Sequence, residues 1–129
     1  MIVTESGSSK VYYLSVILND IANIRLFTDG CDQNSYGSDT RIRYATERAL
    51  LNISEAVRNL ETHGRRDNPT FQLSSLSDQI PWQSIKGIGN ILRHDYDTVS
   101  NARIWNVIQD KLDDLEQACQ RALKDGEPR

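Results

Sequence analysis

An all-α fold, four to five helices packed up and down against one another, is what this sequence predicts. Three observations carry that expectation. Apolar residues recur at spacings of three and four along four long stretches. Short polar links rich in Gly, Asp, Asn, Ser and Pro separate those stretches. No segment shows a convincing strand pattern, and there is no internal repeat or low-complexity tract.

Residues 1–8 are polar and expected to be loose. From about Ser9, the residues Val11, Leu14, Ile17, Leu18, Ile21 and Ile24 form one face of a first helix. Asp29-Gly30 is its stop, with the glycine supplying a left-handed cap. Residues 31–38 read as a loop, after which Ser38 or Asp39 caps a second helix. Its stripe is Ile42, Ala45, Ala49, Ile53, Ala56, Val57 and Leu60, and it ends near His63-Gly64.

Residues 65–79 begin with turn chemistry at 65–69, and the polar run from Ser74 to Gln79 has room for one short helical turn. Pro81 suits the opening turn of a third helix, whose apolar face is Ile85, Ile88 and Leu92. A last helix runs from about Asn101 to Lys124, with Ile104, Ile108, Leu115, Cys119 and Ala122 inward and Asp125-Gly126 closing it. Short links favour antiparallel neighbours. Val16, Leu26, Phe27, Tyr44 and Trp105 fall near or beyond the stripe edges, which points to a dimer that covers them.

The 129 residues make one domain, 1–129, with 1–8 and 125–129 as loose ends. The net charge of −3 gives no global basic field. Any RNA contact therefore rests on a local patch, such as Lys86 with Arg93, or Arg65-Arg66. Cys31 and Cys119 have no metal-ligand spacing, and two isolated cysteines without a secretory signal suggest a reducing compartment. No apolar run approaches the roughly 18–20 residues that span a membrane. The expected place is the cytoplasm, with no membrane partner. There is no phosphate-binding glycine loop, no nucleophile–His–Asp order and no metal set, so no cofactor is expected.

The stretch from Ile80 to Asp97 is the most informative. It holds His94, one of two histidines, next to Arg93 and two positions before Tyr96. Lys86, Asn90, Arg93 and Asp97 stack on one helix face, opposite Ile85, Ile88 and Leu92, with His94 off to one side. An imidazole near a guanidinium and a phenol is equipment for handling phosphates and protons. By spacing alone the stripe is also an ordinary solvated face, in which Lys86 with Asn90 and Arg93 with Asp97 are surface pairs of a few tenths of a kcal/mol. Gly87 and Gly89 each cost about 1 kcal/mol against alanine inside a helix. Close approach of another backbone or of a phosphate would compensate.

The other candidates read as scaffold. Glu47 and Glu55 on the second helix are expected as solvated charges, although they form a possible carboxylate pair. His63 at a helix C-terminus has favourable dipole placement and no chemical role. Tyr12, Tyr13, Tyr36 and Tyr44 supply packing or interface area, and Trp82 and Trp105 are core or dimer anchors.

The segment Ile80-Pro-Trp, then Gly87-Ile-Gly-Asn-Ile-Leu-Arg-His-Asp-Tyr96, resembles the HepT-like proteins of the HEPN superfamily. Ile104-Trp105 fits downstream. Leu51-Asn-Ile-Ser-Glu-Ala56 resembles the family's apolar-Gly-Glu-Ala-Ala stretch, with Ser54 in the glycine position. The likeness covers about Ser9 to Leu123.

The resemblance implies a HEPN-type helical homodimer. It further implies a toxin of a toxin–antitoxin pair, with a minimal nucleotidyltransferase as antitoxin partner and RNA as substrate. In the family, Arg and His of two subunits face one cleft and cleave RNA without metal, and the signature Tyr is adenylylated by the partner. Carried over, the signature's polar residue is Asn90, its His is His94 and its Tyr, the regulatory position, is Tyr96. The signature Arg falls on Gly89. Arg93, about 6 Å further along the axis, is the guanidinium expected to serve as phosphate clamp. Lys86, Glu55 and Asp97 are supporting residues, and Glu55 aligns with the family's Glu. Two other readings stand beside the ribonuclease toxin. One is a catalytically weak binding subunit that docks a nucleotidyltransferase, favoured by Gly89. The other is a helical dimer with no site.

Overall fold

A computed structural model describes the backbone of residues 6–94 and 100–126, and side chains over 9–93 and 100–125. These form α1 (Ser6–Thr28), α2 (Gln33–Ser38), α3 (Thr40–Asp67), a 3-10 turn (Leu73–Ser75), α4 (Trp82–His94) and α5 (Asn101–Gly126). Among the described residues there is no strand. The all-α bundle is as expected, with α1 packed on α3 and α5, and α4 on α3.

Most of the core comes from the anticipated stripes, although Val11 is exposed and Leu50, Leu73, Leu112 and Ala118 join the core outside them. Leu14, Ile17, Ile21 and Ile24 of α1 meet Ile53, Ala56, Val57 and Leu60 of α3, and Ile104, Ile108, Leu115 and Cys119 of α5, all buried. Burying side chains of this size contributes about 1.5–3 kcal/mol each, which offsets much of the cost of ordering the chain. On the outside, Arg25 of α1 pairs with both Asp113 and Glu116 of α5, and its hydrogen bond to Glu116 raises its pKa above the ordinary value.

Three local expectations need correction. Residues 31–38 are not a plain loop, because 33–38 form α2. Asp32 accepts from the Ser35 amide while the Ser35 hydroxyl accepts from the Asp32 amide, a reciprocal cap that nucleates this short helix. The helix is worth forming because it delivers Tyr36, fully buried, into the core against Trp105 at 5.6 Å between rings. The turn expected at Ser74–Gln79 lies earlier, at Leu73–Ser75, since Leu73 is the buried residue there. Finally, α1 begins at Ser6 and α3 continues past His63-Gly64 to Asp67.

Capping follows the sequence. Asp39 accepts from the Ile42 amide at 3.1 Å and starts α3. Gly30 takes φ of 76°, the left-handed conformation that ends α1. Contacts of Tyr13 with His63, and of Lys86 with Glu61 and Arg93 with Glu55, show that α1 and α4 both run antiparallel to α3. The end of α4 and the start of α3 therefore share one end of the bundle. The start of α1 and the end of α3 share the other.

Candidate active site at the end of α4

The rotation of α4 about its axis decides what its polar face meets. Trp82 sets it at the first turn: its ring is buried and its Nε1 donates to the Ser77 carbonyl at 2.8 Å. Ile85 and Leu92 continue the buried face. Lys86, Gly89 and Arg93 are thereby turned towards α3.

There they do not behave as a solvated stripe. Lys86 pairs with Glu61 at 2.7 Å, and both side chains are only 15–16% exposed. That interhelical pair replaces the surface pairing with Asn90 that spacing suggested. The Lys86 carbonyl accepts from the Ser54 hydroxyl and from Arg58 Nη2, each at 2.9 Å. The Gly89 amide donates to Ser54 Oγ at 3.2 Å. Arg93 stands 3.6 Å from Glu55, with the two side chains 42% and 55% exposed.

The Ser54 contacts account for Gly89. An added β-carbon at position 89 would lie 2.8 Å from Ser54 Oγ and 3.3 Å from its Cβ. The close approach anticipated from the glycine is thus a side chain of α3. Gly87 has nothing within 4 Å of such a carbon, and nothing in the structure explains it.

Beyond Arg93, the last turn of α4 reaches an open depression of about 360 Å³ lined by Tyr44, Glu47, Arg48, Leu51 and Leu92. Glu47 is buried, which corrects its assignment to a solvated face. His94 is the final residue of α4, two positions after Leu92; its side chain, with Tyr96 and Asp97, lies outside the described residues. Asn90 is exposed on the same helix. The site therefore brings Arg93 and Glu55 together and sets Lys86 apart as a packed anchor.

Sequence reasoning missed Arg48, Arg58 and Glu61. A signal was available: Glu47, Leu51, Ser54, Arg58 and Glu61 recur at spacings of four and three. Leu51 apart, they form a polar stripe beside the apolar one, which is how a helix meets a partner of mixed character; Arg48 lies off this stripe. Among the described residues no three His, Cys, Asp or Glu side chains stand together as metal ligands. No described helix is long and apolar enough to cross a membrane.

Comparison with known proteins adds a family match. Residues 17–122 match the profile of the HepT-like family, described as ribonuclease HepT-like. A candidate RNase of Methanocaldococcus jannaschii is 28% identical over 105 residues, covering 81% of this chain and 88% of the relative. A second from the same organism is 24% identical over 115 residues, 89% of each chain. A candidate RNase of Caldanaerobacter subterraneus is 27% identical over 112 residues, covering 87% of this chain and 92% of the relative. No solved structure matches significantly.

Proposed function

The chain belongs to the HepT-like ribonuclease family, and on that premise we propose that it is the toxin ribonuclease of a toxin–antitoxin pair, cleaving RNA without a metal at the end of α4. The observation that carries this reading is that the last turn of α4 carries the exposed Arg93 guanidinium and, at Leu92, borders a depression lined by Glu47 and Arg48. Arg93 is only loosely held by Glu55.

The chemistry asks little of the protein beyond protons and charge. The ribose 2′-oxygen attacks the adjacent phosphorus as the bond to the 5′-oxygen breaks, leaving a cyclic phosphate and a 5′-hydroxyl. An imidazole titrates close to neutrality, so His94 can take the 2′-proton. In a homodimer, a second His94 can protonate the departing oxygen. Arg93 clamps the phosphate as negative charge builds on it, with Arg48, which lines the depression beside Leu92, as a second guanidinium. Asn90 hydrogen-bonds a phosphate oxygen or orients His94. Glu55 aims Arg93 and Lys86 anchors α4 to α3, and Asp97 is kept as a supporting residue. Tyr96 is the position where a minimal nucleotidyltransferase antitoxin would attach adenylate and silence the enzyme.

The proposed homodimer would seat on one face of the bundle. Because α4 packs mainly on α3, a groove of about 400 Å³ opens between α4 and α5, lined by Ile88, Ile91 and Val107 among others, with Arg103 and Lys111. A second copy covering it would remove half-buried apolar surface from water. Ile91→Glu should turn a dimer into a monomer in sedimentation; an unchanged dimer would place the interface elsewhere.

Gly89 favours a second reading, a binding subunit of low activity that docks the nucleotidyltransferase. Cleavage of a labelled RNA pool in EDTA separates the two. The ribonuclease reading expects cleavage by the pure protein, abolished in His94→Ala and cut strongly in Arg93→Ala. No cleavage by protein whose mass shows Tyr96 free of adenylate would leave the binding subunit.

A further inference from the structure

At the other end of the bundle, the start of α1 and the end of α3 build a second polar cluster. Tyr13 Oη lies 3.2 Å from His63 Nε2, and Arg66 Nη1 lies 3.4 Å from His63 Nδ1. The rings of Tyr13 and His63 overlap at 5.1 Å. A guanidinium can only donate, so in the Arg66 contact Nδ1 is the acceptor and Nε2 carries the ring proton. That N–H donates to Tyr13 Oη. In that tautomer the Tyr13 hydroxyl keeps its own proton for another acceptor.

The surroundings are cationic. Lys10 lies 5.4 Å over the Phe71 ring, and Phe71 packs on Gly64, where an added β-carbon would come within 2.5 Å of it. Arg65 binds the Phe71 carbonyl at 3.3 Å. Of the two carboxylates at this end of α3, Glu61 is already held by Lys86 and Arg65, while Asp67, next to Arg66, is exposed to solvent. Among the described residues neither Arg66 nor Lys10 forms an ion pair, and Arg66 is exposed. Tyr12, 62% exposed, stands edge-on to Tyr13 at 5.3 Å.

We infer that this cluster is a binding subsite for single-stranded RNA, separate from the cleavage site. Tyr13 and Arg66 hold one backbone phosphate and the exposed Tyr12 ring stacks a base. Cationic side chains beside an open aromatic face are the pattern that holds single strands without reading sequence. The inference rests on the ribonuclease reading for its choice of ligand. His63 and Glu47 are 16 residues apart on α3, about 24 Å at helical rise, so the subsite engages substrate several nucleotides from the scissile bond. This is how a chain of net charge −3 would gain RNA affinity from one local patch.

The probe is a fluorescein-labelled, fully 2′-O-methylated RNA 20-mer, which cannot be cleaved. Its anisotropy is titrated against the full chain, Tyr13→Phe, Arg66→Ala and Arg66→Lys, all with unchanged thermal melts. The unmethylated copy is used to measure cleavage. The expected result is a Kd raised about five- to tenfold in Arg66→Ala, with the salt slope lower by about one, and restored towards normal in Arg66→Lys. Tyr13→Phe should raise Kd about two- to fivefold, and cleavage at saturating RNA should stay as in the unmodified chain. Unaltered Kd in all variants, with cleavage intact, overturns the subsite and leaves the ribonuclease. Neither binding nor cleavage by the unmodified chain overturns both. Weakened binding in the variants, with no cleavage by any protein, supports the subsite and removes the enzyme. Equal weakening for a labelled poly-glutamate probe would mark a general anion patch and overturn the assignment to RNA.

Discussion

The Ser54 hydroxyl occupies the space that any side chain at Gly89 would need, 2.8 Å from where its β-carbon would begin. The same hydroxyl donates to the Lys86 carbonyl and accepts from the Gly89 amide, so one atom couples α3 to two turns of α4. Positions 54 and 89 are therefore a single decision, and each fixes the size of the other.

That coupling is measurable. Gly89→Ala gains about 1 kcal/mol of helix propensity but displaces Ser54 from both hydrogen bonds, at about 1–3 kcal/mol. The variant should be less stable in urea melts, and Ser54→Gly with Gly89→Ala should recover the loss. Additive effects of the two changes would show that the sites are independent. On the proposed mechanism, Gly89→Arg raises RNA cleavage only in the Ser54→Gly background.

Lys86 and Glu61 form the most sheltered of the ion pairs among the described residues. Removing either charge leaves the other half-buried, so Lys86→Met or Glu61→Gln should cost about 1–3 kcal/mol. The double variant should cost less than the sum. A change indistinguishable from zero in Lys86→Met would show that α4 is held by its apolar face alone.

Asp32 makes α2 sensitive to acid. The backbone N–H of Ser35, with its side chain, holds the Asp32 carboxyl below its ordinary value. A depressed carboxyl contributes stability above the unfolded value and loses it as pH falls through the folded one. Asp32→Ala should therefore lower Tm at about neutral pH, with the gap to the unmodified protein closing below about pH 4. A gap that stays constant through acid would assign the cap to the Ser35 hydroxyl instead.

The two thiols should differ sharply. Burial pushes Cys119 up to about 12, whereas Cys31 is half-buried at the surface end of α1. A thiolate is the reactive form. In the folded protein Ellman's reagent should label Cys31 first, and Cys119 only on unfolding. Equal rates would mean that α5 opens on the timescale of labelling.

The sequence by itself determined the four main helices, most of the core and the family. Helical spacing is a local property, so Leu14 to Ile24 and Ile42 to Leu60 declare their buried faces without reference to any partner. Asp39 and Gly30 mark their ends because caps act on the adjacent turn. The spacing of Asn90, His94 and Tyr96 was legible as the signature of the family that the chain resembles, although the side chain of His94 and all of Tyr96 lie outside the described residues. The α2 helix was hidden because one tyrosine among five polar and small residues makes no periodic stripe, and only the burial of Tyr36 in the core justifies it. What the tertiary structure alone decided is who faces whom across helices. Lys86 with Glu61, Arg93 with Glu55 and Ser54 with Gly89 lie 25 to 38 residues apart, and their meeting depends on the register and rotation of α4 against α3. Those are set by the packing of Trp82, Ile85 and Leu92 into the core, a collective fit that no local window of sequence contains.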